Sequence, residues 1–288
     1  MEGNLKGAKR GGFIYTATLL LFLAVAIISR NVLNAFHASE VVSYSVNSVL
    51  TFAVFITAVV LSAKKSVKTV YIRKCAYVQL FAALLLAFGM LLGLGFVNYT
   101  VSDVVKNLGG RIPPEPHILN NAFQFVLFSV VLCLLPAVGE ELFFRGVVAE
   151  SVSKAGKVSG IFTVALCFAL YHGSVSQLVY QFIYGLGLGV LALKAKSIIP
   201  TIIAHFVNNF MALALEYFKV PNSFLFYPIT IIVGISLLIL FAVIIFVPRE
   251  KFAVASGKTE SIKGFYIPFG IIGIFAAALM VALSVLPL

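Results

Sequence analysis

The sequence predicts an all-α fold, a polytopic transmembrane helical bundle of eight to nine spans. Of the 288 residues, 61% are hydrophobic and only 11% are charged, and the mean hydropathy is +1.08. Soluble domains carry about 25% charged residues, so this composition excludes an ordinary soluble domain. Uninterrupted apolar runs recur along the chain, and about 20 such residues are enough to cross a bilayer as a helix.

Nine apolar runs are candidate spans, and together they predict one membrane domain over residues 1–288. The fifth and sixth runs are short, so a tilted or broken helix, or a hairpin that does not cross the bilayer, would leave eight spans. The first run is longer than the apolar core of a signal peptide, which favours a retained signal anchor. The runs cover residues 13–36, 44–63, 77–99, 120–148, 158–172, 177–193, 198–217, 224–247 and 265–286.

The basic residues predict the orientation of the bundle. With the N-terminus in the cytoplasm, 17 of the 21 lysines and arginines fall on the inner side. This bias is the usual topology signal of membrane proteins, and it indicates a multi-pass protein, which we expect in the plasma membrane. The inner residues are Lys6, Lys9, Arg10, Lys64, Lys65, Lys68, Arg73, Lys74, Arg145, Lys154, Lys157, Lys194, Lys196, Arg249, Lys251, Lys258 and Lys263, and the outer residues are Arg30, Lys106, Arg111 and Lys219.

The net charge of +11 is spread over short connections between apolar runs, which argues against nucleic acid as a partner. The longest connection, residues 102–120, contains Gly-Gly and Pro-Pro pairs and is predicted to be an outer loop. The three cysteines, Cys75, Cys133 and Cys167, show neither a CxxC pair nor a metal-binding spacing. We interpret them as small hydrophobic residues.

The segment PAVGEELFFRG, residues 136–146, ends the fourth apolar run and carries three ionisable groups. Of the ten acidic residues, Glu140 and Glu141 lie inside a run and Glu216 only at the edge of one, and a charge at the bilayer centre costs about 2.5–3.5 kcal/mol. Glu141 and Arg145 are four residues apart, which predicts an ion pair on one helix face. Glu140 points about 100° away and is left for another role. We expect Pro136 to kink the helix and open a pocket.

Two histidines lie in or beside later runs, each with a partner four residues away. FALYH pairs Phe168 with His172, and AHFVNN pairs His205 with Asn209. A structural ion network, packing by Phe168 and helix contact by Asn209 are alternatives for each residue alone. The combination on three helices favours a functional site. An antiparallel hairpin about Gly156 predicts Glu140 and His172 at one depth, with His205 about 10 Å shallower. We therefore expect the fourth helix to extend past the membrane or the fifth to be tilted, with the site in the inner half of the membrane.

These motifs, EExxxR over Glu140 to Arg145, FxxxH over Phe168 to His172 and HxxxN over His205 to Asn209, resemble the CPBP family. This family comprises the CAAX proteases and the bacteriocin-processing intramembrane proteases. All three motifs match in order on consecutive apolar segments. The resemblance implies a catalytic core within residues 120–217 of a helical intramembrane endopeptidase, and the flanking runs show only a generic membrane pattern.

The resemblance also implies a role for each motif residue. Glu140 with His172 would activate water, and His205 with Asn209 would stabilise the oxyanion. Glu141 and Arg145 would stabilise the helix that carries the EExxxR motif, and Phe168 would give structural support. The chemistry suits these residue types, because hydrolysis needs a base and the oxyanion needs fixed donors in a dry site.

Other readings stay open at this point. Zinc held by Glu140, His172 and His205 is an alternative to a glutamate mechanism without a cofactor, which we favour; HExxH is absent, but ligands on separate helices need no local motif. A non-catalytic scaffold or bacteriocin-immunity factor and a proton-coupled transporter are alternative functions. The expected partners are the lipid bilayer and a membrane-associated peptide or protein, either a prenylated CAAX tail or a leader or immunity peptide. No oligomeric state follows from the sequence.

Overall fold

The computed structural model describes residues 5–63, 72–112, 119–153, 156–247 and 262–285. All regular structure in these ranges is helical, which confirms the all-α prediction. The α-helices are α1 (Leu5–Ala35), α2 (Glu40–Ala63), α3 (Tyr77–Leu94), α4 (Phe96–Asn107), α5 (Ala122–Phe128), α6 (Leu135–Glu141), α7 (Ala149–Val152), α8 (Lys157–Tyr171), α9 (Val175–Ala195), α10 (Ile199–Tyr217), α11 (Pro228–Phe246), α12 (Lys263–Phe265) and α13 (Ile271–Leu283). The π-helical segments are Ser129–Leu134, Leu142–Val148 and Tyr266–Gly270, and a 3-10 helix covers Asn222–Phe226.

Eight helical spans in the described ranges are long and apolar enough to cross a membrane, which confirms the polytopic bundle. The fifth run is short as predicted, because α8 has 15 residues and covers about 22 Å of the roughly 30 Å hydrocarbon core. The prediction that the sixth run is short was wrong, since α9 has 21 residues. Its helix continues beyond the apolar run through Ser176 at one end and Lys194 at the other.

The predicted outer loop over residues 102–120 was partly wrong, because α4 continues to Asn107. Polar residues of this stretch alternate with valines at helical spacing, so the helix persists where the hydropathy falls. The Pro-Pro pair of this loop lies outside the described residues.

Hydrogen bonds join the connections at the two ends of the bundle. Arg10 Nη2 donates to Ser62 O at 3.1 Å, which brings the start of α1 to the end of α2. The Arg111 amide donates to Val285 O at 2.9 Å, which joins the segment after α4 to the end of α13. These contacts fit helices that run alternately up and down.

One of the basic residues used to predict the orientation was wrongly assigned to a loop. Arg145 is buried in the fourth span, so it is no topology signal. The arginine belongs to the polar centre of the bundle. The inner residues Lys64, Lys65, Lys68, Lys154, Arg249, Lys251 and Lys258 lie outside the described residues.

The fourth span, Ala122–Val152, departs from regular α-helix on both sides of the glutamate pair. One π-helical segment ends just before α6 and a second begins just after it, at Leu142. Pro136 lies in the first turn of α6, directly after the π-helical segment that ends at Leu134. π-Helical turns occur frequently at functional sites, and here they frame Glu140 and Glu141.

An aromatic cluster packs behind this irregular span. The Phe55 ring of α2 lies 5.1 Å from Phe143 and 6.0 Å from Phe144, measured between ring centroids. Tyr171 of α8 contacts both Phe55 and Phe144. This cluster fixes the fourth span against α2 and α8, the helix that ends beside His172.

Candidate active site

Glu140 and Glu141 occupy the last turn of α6 and are 5% and 0% exposed. They are the only acidic side chains buried in the described part of the chain. Four other acidic residues lie near helix ends and are not buried. Those residues are Glu40, Asp103, Glu150 and Glu216.

The predicted ion pair between Glu141 and Arg145 is present and buried. Arg145 Nη1 donates to Glu141 Oε1 at 2.7 Å, and Nη2 donates to the Gly185 carbonyl of α9 at 3.2 Å. The guanidinium carbon lies 4.4 Å from the centre of the Phe168 ring, a cation–π contact. Arg145 therefore joins three helical segments, and its bond to Gly185 could not be read from the local motif.

His205 of α10 lies between the two glutamates. Its Nδ1 is 3.0 Å from Glu141 Oε1, and its Nε2 is 4.0 Å from Glu140 Oε2. The first distance is a hydrogen bond, and the second is the separation of an ion pair. Glu141 was expected to serve Arg145 alone, but it accepts hydrogen bonds from both Arg145 and His205.

His172 follows α8 directly and is half-buried. Its Nδ1 lies 2.7 Å from the Phe168 carbonyl oxygen, one turn earlier. A carbonyl oxygen only accepts, so Nδ1 carries the proton and Nε2 of the neutral ring has a free lone pair. Within the described residues, Glu140 forms no hydrogen bond or ion pair with His172; its nearest basic partner is His205.

The Phe168 ring connects these groups. Its centroid lies 4.8 Å from the His172 ring and 5.7 Å from the His205 ring, both edge to face. It also packs perpendicular to Phe144 at 5.3 Å. Phe168 is fully buried, so it holds both histidines and Arg145 around one ring.

The two asparagines of α10 have different surroundings. Asn208 is buried and donates from Nδ2 to the Tyr180 hydroxyl at 2.6 Å and to Ala87 O at 3.4 Å. Asn209, the residue singled out by its spacing from His205, is half-buried, and its side chain has no hydrogen bond to the described part of the chain. Its amide is thus available to another partner, while that of Asn208 joins α10 to α9 and α3.

Three residues of α9 were missed at the sequence level. Tyr180 binds Asn208, Tyr184 lies edge to face with His205 at 6.2 Å, and Gly185 accepts from Arg145. The two tyrosines stand four residues apart in an otherwise apolar run, which is a weak signal for polar groups on one buried face. No local pattern indicates that the Gly185 carbonyl faces Arg145.

A metal ion does not fit these residues as they are placed. Among the described residues, no three His, Cys, Asp or Glu side chains are grouped to hold one. Glu140 and His205 face each other, but the Nδ1 of His205 is already bonded to Glu141. A zinc site would need His172 as its third ligand and therefore a rearrangement.

The fold and these contacts define a class: a polytopic integral membrane protein with a buried centre of glutamate, arginine and histidine. Residues 122–211 match the family model described as "Rce1-like: Type II CAAX prenyl endopeptidase Rce1-like". The matched segment begins with α5 and ends within α10, so it contains every residue of the three motifs. The match covers less than half of the chain, and it confirms the resemblance of this segment to the CPBP/CAAX proteases. No curated protein and no solved structure matches the chain.

Proposed function

We propose that this protein is an intramembrane endopeptidase that hydrolyses a peptide bond in a membrane-associated peptide or protein. The observation that carries the proposal is the setting of Glu140: a buried carboxyl group with an unpartnered oxygen, 4.0 Å from His205 Nε2. This carboxyl group lies within the segment that matches a CAAX endopeptidase family. A carboxylate in a water-poor site is suited to act as a base.

The protonation of His205 follows from its partners. Glu141 Oε1 also accepts from the Arg145 guanidinium, so this carboxyl group is ionised and His205 must donate from Nδ1. To donate to an oxyanion as well, His205 must carry a second proton on Nε2. In that state its positive charge would lie between the carboxyl groups of Glu140 and Glu141, and buried charges are usually paired.

The proposed reaction uses water as the nucleophile. Glu140, assisted by the free Nε2 of His172, takes a proton from water, and the hydroxide bonds to the scissile carbonyl carbon. His205 and Asn209 donate to the oxyanion that forms on the carbonyl oxygen. The C–N bond then breaks, and the proton passes from Glu140 to the leaving nitrogen, giving an amine and a carboxylic acid.

The family description supports one class of substrate. The name of the matched family points to a prenylated CAAX tail, whose lipid would lie in the bilayer beside the bundle. Leader or immunity peptides are the second class of substrate. In this proposal residues 120–217 form the catalytic core of a single membrane domain, and the protein lies in the plasma membrane with its N-terminus in the cytoplasm.

The test uses the full chain and its Glu140→Gln variant, each reconstituted in liposomes. A farnesylated CAAX peptide, an unprenylated copy and a leader peptide are incubated with each protein, with and without a chelator. We expect cleavage of at least one peptide by the wild type, at least about 100-fold slower cleavage by Glu140→Gln, and no effect of the chelator. Equal cleavage by both proteins would refute the role of Glu140.

The remaining outcomes separate the alternative functions. Chelator-sensitive activity with one bound zinc per chain would replace the glutamate mechanism with zinc-dependent hydrolysis. A scaffold or immunity factor would be favoured if the wild type cleaves none of the peptides and cells that carry the Glu140→Gln variant keep the wild-type phenotype.

A further inference from the structure

A groove lies between the start of α8 and the start of the C-terminal span, Lys263–Leu283. Its volume is about 530 Å³, and pockets of about 300–1,000 Å³ commonly hold one small ligand. Val158, Phe162 and Ile262 form its apolar wall, and the exposed Lys157 lies at its rim. The Phe162 ring packs edge to face on Phe182 of α9, with 5.3 Å between the centroids. This wall is therefore fixed by contacts within the bundle.

Thr163 and Tyr266 close the deep end of the groove. Their hydroxyl oxygens are 2.8 Å apart, a hydrogen bond that joins α8 to the C-terminal span. Thr163 is 1% exposed, whereas Val158 is 84% exposed, so the groove runs from a buried polar pair to the surface of the bundle. An apolar groove that is open at the surface of a membrane protein is suited to an acyl chain.

The end of the bundle that carries this groove is basic. It is the end at which α1 begins, because Gly12 of α1 packs directly on the Phe265 carbonyl oxygen. Lys157 lines the groove, and Lys263 is exposed within one residue of it. Among the described acidic residues, only Glu150 lies at this end, and it is half-buried. The mouth of the groove is therefore suited to an anion.

An anionic phospholipid matches both the apolar wall and the basic rim. One acyl chain would lie against the wall, and the phosphate would accept a hydrogen bond from Lys157. Basic pockets between membrane helices on the cytoplasmic side bind such head groups. Lys157 also interacts with another group of the chain, but an ammonium group has three donors and can serve a phosphate as well.

We propose that this groove binds an anionic phospholipid of the bilayer, with its phosphate at Lys157 and one acyl chain between α8 and the C-terminal span. The groove is separate from the glutamate–histidine centre, since Thr163 precedes His172 by nine residues, about 14 Å along the helix. The lipid would hold the C-terminal span against α8. The proposal does not depend on the proposed peptide hydrolysis.

The first test measures lipid binding to the full chain by native mass spectrometry in a neutral detergent. Phosphatidylglycerol and phosphatidylcholine with the same acyl chains are added at equal concentration. We expect the wild type to retain phosphatidylglycerol in preference, and Lys157→Gln to reduce that preference about fivefold, the contribution of one lysine near an anionic surface. Lys196→Gln is the control, because Lys196 is exposed after α9 but does not line the groove. It should change the preference less than about twofold.

A second readout locates the lipid without any variant. Phosphatidylglycerol that carries a diazirine on its acyl chain is cross-linked to the wild type in liposomes, and the labelled peptides are identified by mass spectrometry. We expect labels on Val158 and Phe162. Excess unlabelled phosphatidylglycerol should displace these labels, whereas equal amounts of phosphatidylcholine or of a farnesylated CAAX peptide should not.

Equal retention of the two lipids by the wild type would overturn the proposal. An equal loss of preference in Lys157→Gln and Lys196→Gln would also overturn it, because the attraction would then belong to the whole basic surface. Displacement of the groove labels by phosphatidylcholine would show that the groove takes any acyl chain. Displacement by the farnesylated peptide alone would assign the groove to the substrate instead.

Discussion

His205 bridges two adjacent glutamates: its Nδ1 lies 3.0 Å from Glu141 and its Nε2 4.0 Å from Glu140. Adjacent residues of a helix point about 100° apart, so one small side chain rarely reaches both. The imidazole ring does so because its two nitrogens point in different directions in the ring plane. Glu141 therefore acts on the supporting side of the histidine and Glu140 on the reactive side.

Glu141→Gln is expected to destabilise the fold. The substitution removes the negative charge that Arg145 and His205 share, and breaking one partner of a buried ion pair costs about 3–5 kcal/mol. Thermal unfolding in detergent measures the effect. Asp103→Asn is the control, because Asp103 is exposed and its pair with Lys106 is 4.0 Å long, so its loss should leave the midpoint unchanged. Equal midpoints for the two variants would contradict the assignment of Glu141.

Alanine substitutions of Asn208 and Asn209 are expected to have different effects, the first on stability and the second on the cleavage rate. Asn208→Ala leaves the Tyr180 hydroxyl and Ala87 O without their donor, so the free energy of unfolding should fall by about 1–3 kcal/mol. Asn209→Ala breaks no hydrogen bond within the described residues, so the protein should remain stable and lose about 10²–10³-fold in kcat if Asn209 holds the oxyanion. Unfolding midpoints and cleavage rates are measured on both variants. If Asn208→Ala lowered the rate and Asn209→Ala lowered the stability, the oxyanion role of Asn209 would be contradicted.

Phe168→Leu is expected to lower both stability and rate. The leucine loses the ring that contacts His172, His205 and Arg145, which should cost about 1–3 kcal/mol. Small displacements of reacting groups can cost about 100-fold in rate. Phe162→Leu on the same helix is the control, since Phe162 is 50% exposed. A Phe168→Leu protein that matches this control in midpoint and rate would refute the central position of Phe168.

The motif spacing predicted the contacts made within one helix. Glu141 and Arg145 form the expected ion pair, and Phe168 packs on His172, because residues four apart share a helix face. Contacts between helices were predicted less well from the sequence. The hairpin put Glu140 and His172 at one depth, and the family resemblance paired them, whereas the structure brings Glu140 nearest to His205. Helix rotation is set by packing that no local motif encodes.

The lengths of the spans could also be predicted only in part from the sequence. Hydropathy located all the apolar runs, but it ended the third at residue 99 and started a loop at 102, where the structure continues α4 to Asn107. Helices persist through polar residues that hydropathy assigns to loops. Tyr184 and Gly185 were missed because their roles depend on which face of α9 meets Arg145.

Gly185→Ala is expected to disturb the site from outside the motifs. A Cβ atom there would lie 3.1 Å from Ala165 Cα and 3.3 Å from Phe168 Cδ1, closer than ordinary contact, so α9 must shift. The shift should weaken the bond from Arg145 to the Gly185 carbonyl and cost about 1–3 kcal/mol. Gly7→Ala meets nothing within 4 Å and is the control, measured by thermal unfolding. A Gly185→Ala midpoint no lower than that of Gly7→Ala would show that α9 tolerates the methyl group.

The central claim is that Glu140 is the reactive carboxylate and Glu141 its structural neighbour. Its most direct test is to measure cleavage rate and unfolding midpoint together for Glu140→Gln in the reconstituted full chain. We expect a loss of at least about 100-fold in rate with a midpoint lowered less than in Glu141→Gln, because Glu140 has one distant ionic partner, His205 at 4.0 Å, whereas Glu141 is hydrogen-bonded to both Arg145 and His205. A Glu140→Gln protein that cleaves at the wild-type rate would contradict the account.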